Sequence, residues 1–208
     1  APSPSGDLHL GHARSFLLAW WQVRAQGGEL VLRMEDLDTQ RCVAGSEQSI
    51  IEDLQWLGLD WDGEVVRQSD RVHLYDRALE TLRAGGHLYP CTCSRKELAE
   101  VASAPHANLN PGNSAEGERG PYPGTCRDRF PDREAATRAT GRAASWRFRV
   151  QPGGCGFRDH IWGHYQEDVS ETVGDFPISS KDGGAAYQLA VVVDDADQGI
   201  DHVLRGDD

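Results

Sequence analysis

The amino-acid sequence predicts an α/β fold built on a parallel sheet. Helical and strand-like segments alternate through residues 1–90, which is the pattern of parallel strands joined by crossover helices. Hydrophobic residues make up 38% of the chain and charged residues 26%, as in an ordinary soluble globular protein. A chain of 208 residues holds one sizeable core, or one core with a smaller inserted module.

A first helix is predicted over residues 8–26. Its apolar side chains recur at the spacing of one helical face, namely Leu10, Ala13, Leu17 and Trp21, with Phe16 and Trp20 beside them. Two glycines at 27 and 28 end this periodic segment. Residues 29–34, with the sequence ELVLRM, follow as a short strand.

Two further helices enclose a second strand. The pattern predicts an amphipathic helix over residues 46–57, a strand over residues 65–68 and a helix over residues 71–84, which ends at a second glycine pair. Because a helix separates the two strands, they are expected to pair in parallel.

The pattern changes after Tyr89. Residues 104–125 are rich in proline, glycine, asparagine and serine, which predicts a flexible surface loop. Short strands over residues 145–176 predict a compact α+β insertion whose core contains Trp146, Trp162 and Tyr165. Residues 187–195 are ambiguous, because their consecutive valines favour a strand while the length of the segment also fits a buried helix.

The net charge of −12 argues against a surface that coats nucleic acid, because phosphate binding needs clustered Lys and Arg. A local arginine track stays open, since all basic residues except Lys96 and Lys181 are arginines. No segment approaches the roughly 20 apolar residues of a membrane helix. The protein is expected to be cytoplasmic and monomeric. The five cysteines are an odd number, which favours thiols or metal ligands over a disulfide framework.

The strongest pattern is the opening segment, APSPSGDLHLGH. His9 and His12 lie three residues apart at the start of a predicted helix, so both side chains can face one site. A helix N-terminus attracts phosphate through its free N–H groups and its dipole, and two imidazoles add donors. Gly6 permits a tight turn, and Gly11 leaves room for a flat ring against the backbone. The alternative is an ordinary helix cap with two surface histidines.

This segment resembles the HIGH signature of the class I aminoacyl-tRNA synthetases, in the form found in their glutamyl and glutaminyl branch. Three later segments resemble the branch in the same order, namely 32–38 (LRMEDLD), 187–195 (YQLAVVVDD) and 199–206 (GIDHVLRG). The resemblance implies a Rossmann-like parallel sheet with an inserted α+β acceptor-binding module and a zinc-binding segment. It divides the chain into a catalytic part at 1–90, a zinc-binding segment with its loop at 91–126, the insertion at 127–185 and a return towards the catalytic domain at 186–208.

The resemblance also assigns roles to single residues. His9 and His12, with Gly6 and Gly11, are expected to bind ATP, which enters with Mg²⁺. The expected contacts to the substrate L-glutamate come from Ala1, Pro2, Ser3, Glu35, Tyr187 and Arg205. In this scheme Glu35 holds the ammonium group, and Arg205 pairs with the side-chain carboxylate through a bidentate fork that discriminates against glutamine. Taken singly, Glu35, Tyr187 and Arg205 could equally be a strand-end carboxylate, a core tyrosine and a surface ion pair.

A second candidate site is a metal centre. Cys91, Cys93 and Cys126 would supply three of the four ligands of a tetrahedral zinc. Branch members carry a zinc module at this place, and the resemblance implies that Tyr122 supplies the fourth ligand as a phenolate. Two other residues stay open as substitutes, His106 and Cys155. Such a zinc would be structural, because no position is left for a bound water; three buried free thiols are the alternative.

Within the branch, the segments SPSG at 3–6 and CTCSRKE at 91–97 resemble the shortened members, the glutamyl-Q tRNA(Asp) synthetases. These load activated glutamate onto the queuosine base of the tRNA(Asp) anticodon. The chain lacks the branch's arginine ahead of Ala1 and the lysine-containing KMSKS loop beyond Asp208, so it is expected to be incomplete and poorly active as given. Two other functions stay open: a fragment of a full-length glutamyl-tRNA synthetase that charges tRNA(Glu), and a non-catalytic, zinc-stapled module that binds tRNA or a protein.

Overall fold

A computed structural model describes residues 1–94, 97 and 121–205. The chain divides into two compact units, one formed by Ala1–Tyr75 with the segment from Ala190 onward and the other by Asp76–Leu189. The loop predicted at 104–125 lies largely outside the described residues, and so does His106.

The first unit contains the predicted alternation of helices and strands. Its elements are α1 (Leu10–Ala25), β1 (Arg33–Met34), α2 (Ser46–Trp56), β2 (Val66–Arg67) and a 3-10 turn at Gln68–Arg71. The two strands pair in parallel, with Arg33 opposite Val66 and Met34 opposite Arg67, which confirms the predicted pairing. Both strands are shorter than predicted. One reason is that the Leu30 N–H donates to the Asp62 carboxylate (2.8 Å) instead of to a neighbouring strand.

The core of the first unit is formed by Leu32, Met34, Ile50, Leu54 and Leu59. Helix α1 contributes to it through Phe16, Leu17 and Trp20, which are partly buried against this cluster. The predicted apolar face of α1 was therefore wrong in two members, since Leu10 is 89% and Trp21 is 56% exposed. The helix is turned so that the Trp20 side chain lies over the core, where its indole N–H reaches Asp60 (2.6 Å).

The second unit begins within helix α3 (Val72–Ala84) and holds the other strands of the described residues. These are β3 (Leu88–Cys91), β4 (Ser145–Phe148), β5 (Cys155–Asp159), β6 (Gly163–Glu167) and β7 (Phe176–Pro177). An antiparallel sheet has the order β3-β4-β7, and β5 pairs with β6 as a separate hairpin. Among the described residues, the unit also contains the helices α4 (Arg133–Thr140) and α5 (Val169–Thr172). The short strands agree with those predicted over residues 145–176.

The β5–β6 hairpin corrects one expectation about the aromatic residues. Trp162 is 77% and Tyr165 is 47% exposed, so neither belongs to the core, and Trp146 on β4 is only half-buried. The reason is topological: β5 and β6 pair with each other and with no third strand among the described residues. A two-stranded ribbon leaves most of its side chains in solvent unless another layer covers it.

Residues 187–197 form a helix, α6 (Tyr187–Asp197), which resolves the ambiguity left by the sequence. Burial explains the outcome, because Leu189, Ala190 and Asp194 are buried at the spacing of one helical face. None of the helices in the described part of the chain has the length and apolar character needed to span a bilayer.

Candidate functional site

The start of α1 is closed by its two histidines. His9 is the N-cap residue in extended conformation, and its Nδ1 accepts a hydrogen bond from the Gly11 N–H (3.1 Å). The His12 Nδ1 accepts in turn from the His9 N–H (3.3 Å). This is a capping box in which imidazoles replace the usual hydroxyl and carboxylate. The two rings stack with centroids 3.7 Å apart, so the predicted pair does come together.

The capping bonds assign one tautomer to each imidazole in its neutral form. A neutral imidazole that accepts a hydrogen bond at Nδ1 must hold its proton at Nε2. Burial, followed by the charge of the nearby His9, lowers the pKa of His12, which favours the neutral form. Both rings are exposed, and they present Nε2–H donors beside the positive end of the α1 dipole. Such an arrangement suits the oxygens of a phosphate.

Gly11 is required by this capping geometry. A Cβ at position 11 would lie 3.0 Å from Cε1 and 3.1 Å from Nδ1 of His9. The flat ring that lies over the Gly11 backbone in this structure is therefore the imidazole of His9. A larger residue would push that ring away from its capping position.

A second residue, Ser46, holds the turn that precedes the helix. Its buried hydroxyl donates to the Gly6 carbonyl (2.7 Å) and accepts from the Gly6 N–H (3.2 Å). Gly6 has a φ of 151°, in the region that favours glycine. Ser46 begins α2, and its sequence position identifies it only as a helix-start residue. Its contact with Gly6, 40 positions earlier, gave no signal in the sequence.

A small cleft of about 50 Å³ in the first unit contains two of the residues predicted to contact glutamate. It is lined by Ser3, Pro4, Ser5, Glu35, Asp38, Arg41 and Cys42. The backbone N–H of Glu35 donates to the Pro2 carbonyl (2.9 Å), so the opening segment and the strand end are joined directly. Ser3 and Glu35 thus line the same cleft, and their role in binding glutamate stays a prediction. Arg41 and Cys42 carried no recognisable pattern in the sequence.

The Glu35 side chain is only 11% exposed. Burial raises its pKa above the ordinary value, and the positive charge of Arg33 opposes that shift. Its nearest ion-pair partner is Arg33 Nη2, at 3.8 Å. Within the described residues neither of its oxygens accepts a hydrogen bond, so the carboxylate keeps its capacity to bind a cation such as an ammonium group.

Tyr187 and Arg205 occupy different parts of the fold. Tyr187 is the first residue of α6, is 55% exposed and belongs to the second unit. Arg205 is exposed in the extended segment that follows α6, and it is not among the residues that line the cleft. A contact of either side chain with glutamate stays a prediction.

The predicted metal ligands form a cluster in the second unit. The sulfurs of Cys91, Cys93 and Cys126 all lie within 4.8 Å of one another. The Tyr122 hydroxyl is 3.5 Å from Cys91 Sγ and 3.6 Å from Cys93 Sγ. Zn–S bonds of about 2.3 Å in a tetrahedron separate two sulfurs by about 3.8 Å, so three thiols and a phenol at these distances fit a zinc ion. Cys155 lies exposed on β5 and is outside the cluster.

Burial strongly affects the chemistry of this cluster. It raises the pKa of the Cys93 thiol to about 12 and also raises the pKa of Tyr122. At Cys126 burial works against ionisation, yet hydrogen bonds from the Thr92 backbone and from neighbouring side chains lower the pKa overall. Because metal ligands must be deprotonated, a metal that binds here releases protons.

The chain as a whole matches known synthetase catalytic domains. Residues 1–208 match the family described as tRNA synthetases class I (E and Q), catalytic domain. Proteins named glutamyl-Q tRNA(Asp) synthetase are 47% identical over 208 residues in Nocardia farcinica, 47% over 216 in Symbiobacterium thermophilum and 46% over 208 in Bordetella bronchiseptica. The alignments cover 100% of this chain and 62%, 64% and 61% of those proteins. The chain thus spans less than two thirds of the length of these relatives.

Solved structures give the same α/β catalytic-domain fold. A glutamate-tRNA synthetase from Elizabethkingia anophelis matches with a TM-score of 0.74 and 29% identity, over 96% of this chain and 42% of that one. A glutamate tRNA ligase from Elizabethkingia meningosepticum, solved in complex with its amino acid, matches with a TM-score of 0.73 and 29% identity, over 96% and 41%.

Proposed function

The chain belongs to the family of class I tRNA synthetase catalytic domains of the E and Q type, and we propose that the protein activates L-glutamate with ATP and transfers it to the queuosine base of the tRNA(Asp) anticodon. The names of relatives that are 46–47% identical over the whole chain support this acceptor. The pair of stacked imidazoles that caps α1 is the structural observation that supports nucleotide chemistry most directly.

The phosphates of ATP, which enters with Mg²⁺, would meet the start of α1. There the Nε2–H groups of His9 and His12 and the positive end of the helix dipole stabilise the charge that develops on the phosphates. Gly6 and Gly11 permit this arrangement through the turn and the close ring contact described above. Because the rings are held by capping bonds before any ligand arrives, little reorganisation is needed during the reaction.

Glutamate would bind beside this helix start. Glu35 would hold the ammonium group, with Ala1, Pro2 and Ser3 forming the adjacent wall. Tyr187 and Arg205 would contact the rest of the substrate. In that role Arg205 selects glutamate over glutamine, since a guanidinium fork matches a carboxylate and not an amide.

The reaction would proceed in two balanced steps. An α-carboxylate oxygen of glutamate attacks the α-phosphorus of ATP, the bond to the bridging oxygen breaks, and pyrophosphate leaves with that bonding pair. A hydroxyl of the queuosine base then attacks the carbonyl carbon of the glutamyl-adenylate. This hydroxyl loses its proton while AMP departs. Positioning and charge stabilisation supply most of the catalysis.

A structural zinc held by Cys91, Cys93, Tyr122 and Cys126 would complete the protein. It would tie β3 to the segment that carries Tyr122 and Cys126, and it would leave no coordination position for a reacting water. We also place the protein in the cytoplasm as a monomer, with ATP, L-glutamate and tRNA(Asp) as its partners.

Pyrophosphate exchange tests the first step. Full-length protein is expected to exchange labelled pyrophosphate into ATP when glutamate is present, without any tRNA, and to give only background with glutamine or aspartate. Transfer is then measured with labelled glutamate and three acceptors: queuosine-containing tRNA(Asp), unmodified tRNA(Asp) and tRNA(Glu). Label is expected only on the first.

Two outcomes would favour a different function. Labelling of tRNA(Glu), or exchange that requires tRNA(Glu), would favour an ordinary glutamyl-tRNA synthetase, the function named for the 29% identical solved structures. Absence of exchange in folded, zinc-loaded protein would favour a non-catalytic module that binds tRNA or a protein.

A further inference from the structure

A buried charge network lies behind the cleft of the first unit, and its centre is Asp194 on α6. This residue is fully buried. Its carboxylate accepts hydrogen bonds from the Tyr75 hydroxyl (2.9 Å to each oxygen), from Gln68 Nε2 (2.8 Å) and from Arg71 Nε (2.7 Å). Three donors therefore hold the carboxylate, with the Tyr75 hydroxyl shared between its two oxygens, so Asp194 is fixed in one orientation.

Arg33 on β1 connects this network to the cleft. Its Nη1 donates to Asp195 (2.8 Å) and to Gln198 (2.7 Å), and its Nε lies 3.6 Å from Asp194. The remaining nitrogen, Nη2, lies 3.8 Å from Glu35 Oε1. The Arg33 side chain is only 8% exposed. Its contacts with Asp194 and Asp195 place one side of the guanidinium against α6, while Nη2 on the other side faces Glu35.

The cost of this arrangement argues that it does more than join α6 to β1. Burying a charge requires desolvation, and well-packed apolar residues often serve the fold as well as a buried ion pair does. Arg33 Nε makes no hydrogen bond within the described residues. The observed position of the guanidinium therefore leaves one of its N–H donors without a partner. Its position keeps a positive charge near Glu35 without occupying the carboxylate, because 3.8 Å is too long for a hydrogen bond.

We propose that Arg33, anchored by Asp194 and Asp195 of α6, is a positioning residue that holds the Glu35 carboxylate ready for the ammonium group of the amino-acid substrate. The inference rests on the proposed function, in which Glu35 binds that group. Arg33 acts only through Glu35, so its loss weakens glutamate binding and leaves ATP binding at the α1 start intact. The anchor on α6 matters because an arginine free to swing would pair fully with Glu35 and compete with the substrate.

Separate Michaelis constants for glutamate and ATP in pyrophosphate exchange test this role in full-length protein. Arg33→Gln is expected to raise the KM for glutamate by about tenfold or more, with the KM for ATP changed less than about twofold. Arg33→Lys keeps the charge and should recover part of the affinity. Asp195→Asn keeps Arg33 but removes one anchor, and is expected to raise the KM for glutamate by a few-fold. Arg24→Gln is the matched control, because this arginine of the same unit pairs with Asp60 and Asp62.

The outcomes separate the inference from the function it rests on. Lack of glutamate-dependent exchange in the wild-type protein would reject the proposed function itself. An active wild type with an unchanged KM for glutamate in Arg33→Gln would overturn the positioning role alone, as would equal increases in both KM values. Circular dichroism and thermal melting check that each variant is folded. If Arg33→Gln does not fold, the same comparison of the KM for glutamate with the KM for ATP is made in Asp195→Asn and Arg33→Lys.

Discussion

The guanidinium of Arg147 lies over the phenol ring of Tyr122, with Cζ 3.8 Å from the ring centroid. Arg147 is 5% exposed and donates through Nη1 to the Asp175 carbonyl (2.6 Å). Tyr122 in turn contacts two of the clustered thiols. A buried cation therefore packs directly on the ring of the proposed fourth zinc ligand, where cation–π attraction is strengthened by the lack of water.

Removing this cation is expected to weaken metal binding. Three thiolates and a phenolate carry more negative charge than one Zn²⁺ neutralises, and Arg147 offsets the excess. Arg147→Met keeps the bulk and is expected to lower zinc affinity by about 10- to 100-fold, as seen for other outer-shell residues. Competition with a chromophoric chelator measures this. Arg149→Met is the control, since Arg149 lies over the Tyr89 ring (5.3 Å), which is not a proposed ligand. Equal zinc affinity in both variants would contradict the role given to Arg147.

Zinc content should depend on the clustered cysteines and not on Cys155. Purified protein is expected to contain about one equivalent of zinc, because the cluster offers one set of four ligands. Cys91→Ser removes a buried ligand and should abolish the zinc and lower the melting temperature. Cys155→Ser, on the exposed β5, should keep both. Metal analysis with thermal melting measures these outcomes, and a metal-free but fully folded wild type would rule out the structural zinc.

Gly11→Ala should reduce catalysis without unfolding the protein. The new Cβ would lie 3.0 Å from the His9 ring, so the ring must shift by a few tenths of an ångström and its Nε2–H donor moves away from its preorganised position near ATP. We expect kcat for pyrophosphate exchange to fall by about tenfold or more, as for loss of a preorganised donor. Gly184→Ala places its Cβ 3.7 Å from Ser180 Oγ, an ordinary contact, and should leave kcat unchanged. Similar kcat values in the two variants would argue against a role for the His9 ring.

Ser46→Ala tests whether the Ser46 hydroxyl stabilises the turn at Gly6. The change removes a buried hydroxyl that both donates to and accepts from the Gly6 backbone, and it leaves those backbone groups without their partner. The free energy of unfolding is expected to fall by about 1–3 kcal/mol, measured by urea denaturation. Ser49→Ala, on the same helix and only partly buried, should stay within about 0.5 kcal/mol of the wild type. A Ser46→Ala protein as stable as the Ser49→Ala control would show that the Ser46 hydroxyl does not stabilise the Gly6 turn.

The glutamate site should lose affinity on the acid side. Burial raises the pKa of Glu35 above its ordinary value of 4.5, so this carboxyl takes up its proton at a pH where an exposed glutamate is still ionised. A neutral carboxyl cannot pair with an ammonium group. The reciprocal of the KM for glutamate should therefore fall as the pH drops through a midpoint above 4.5. This fall is the acid limb of the profile, and the KM for ATP should show no corresponding change.

Variants assign that acid limb to one residue. Glu35→Gln should raise the KM for glutamate and remove the limb, because the amide does not titrate in this range. Glu29→Gln, at an exposed position of the same unit, should retain the wild-type profile. An acid limb that persists in Glu35→Gln would assign the titration to another group.

Local patterns in the sequence predicted the features that depend on near neighbours. The helix that starts beside His9 and His12, the alternation of helices and strands and the parallel strand pair follow from spacing and turn residues within short segments. The grouping of Cys91, Cys93 and Cys126 was predicted from their types and from the family resemblance, and the structure confirms that their sulfurs cluster.

Only the tertiary structure decided the features that join distant parts of the chain. Gln68 and Asp194 are 126 positions apart, and Arg33 and Asp195 are 162 apart; no periodicity within a segment specifies such a contact. The same holds for Ser46 on Gly6, for Arg147 on Tyr122 and for the solvent exposure of Trp162. Helix formation at 187–197 also depended on packing, because three valines in a row favour a strand until burial of one face outweighs that preference. Local spacing sets which element can form, whereas burial and charge pairing across the fold decide which side chains meet.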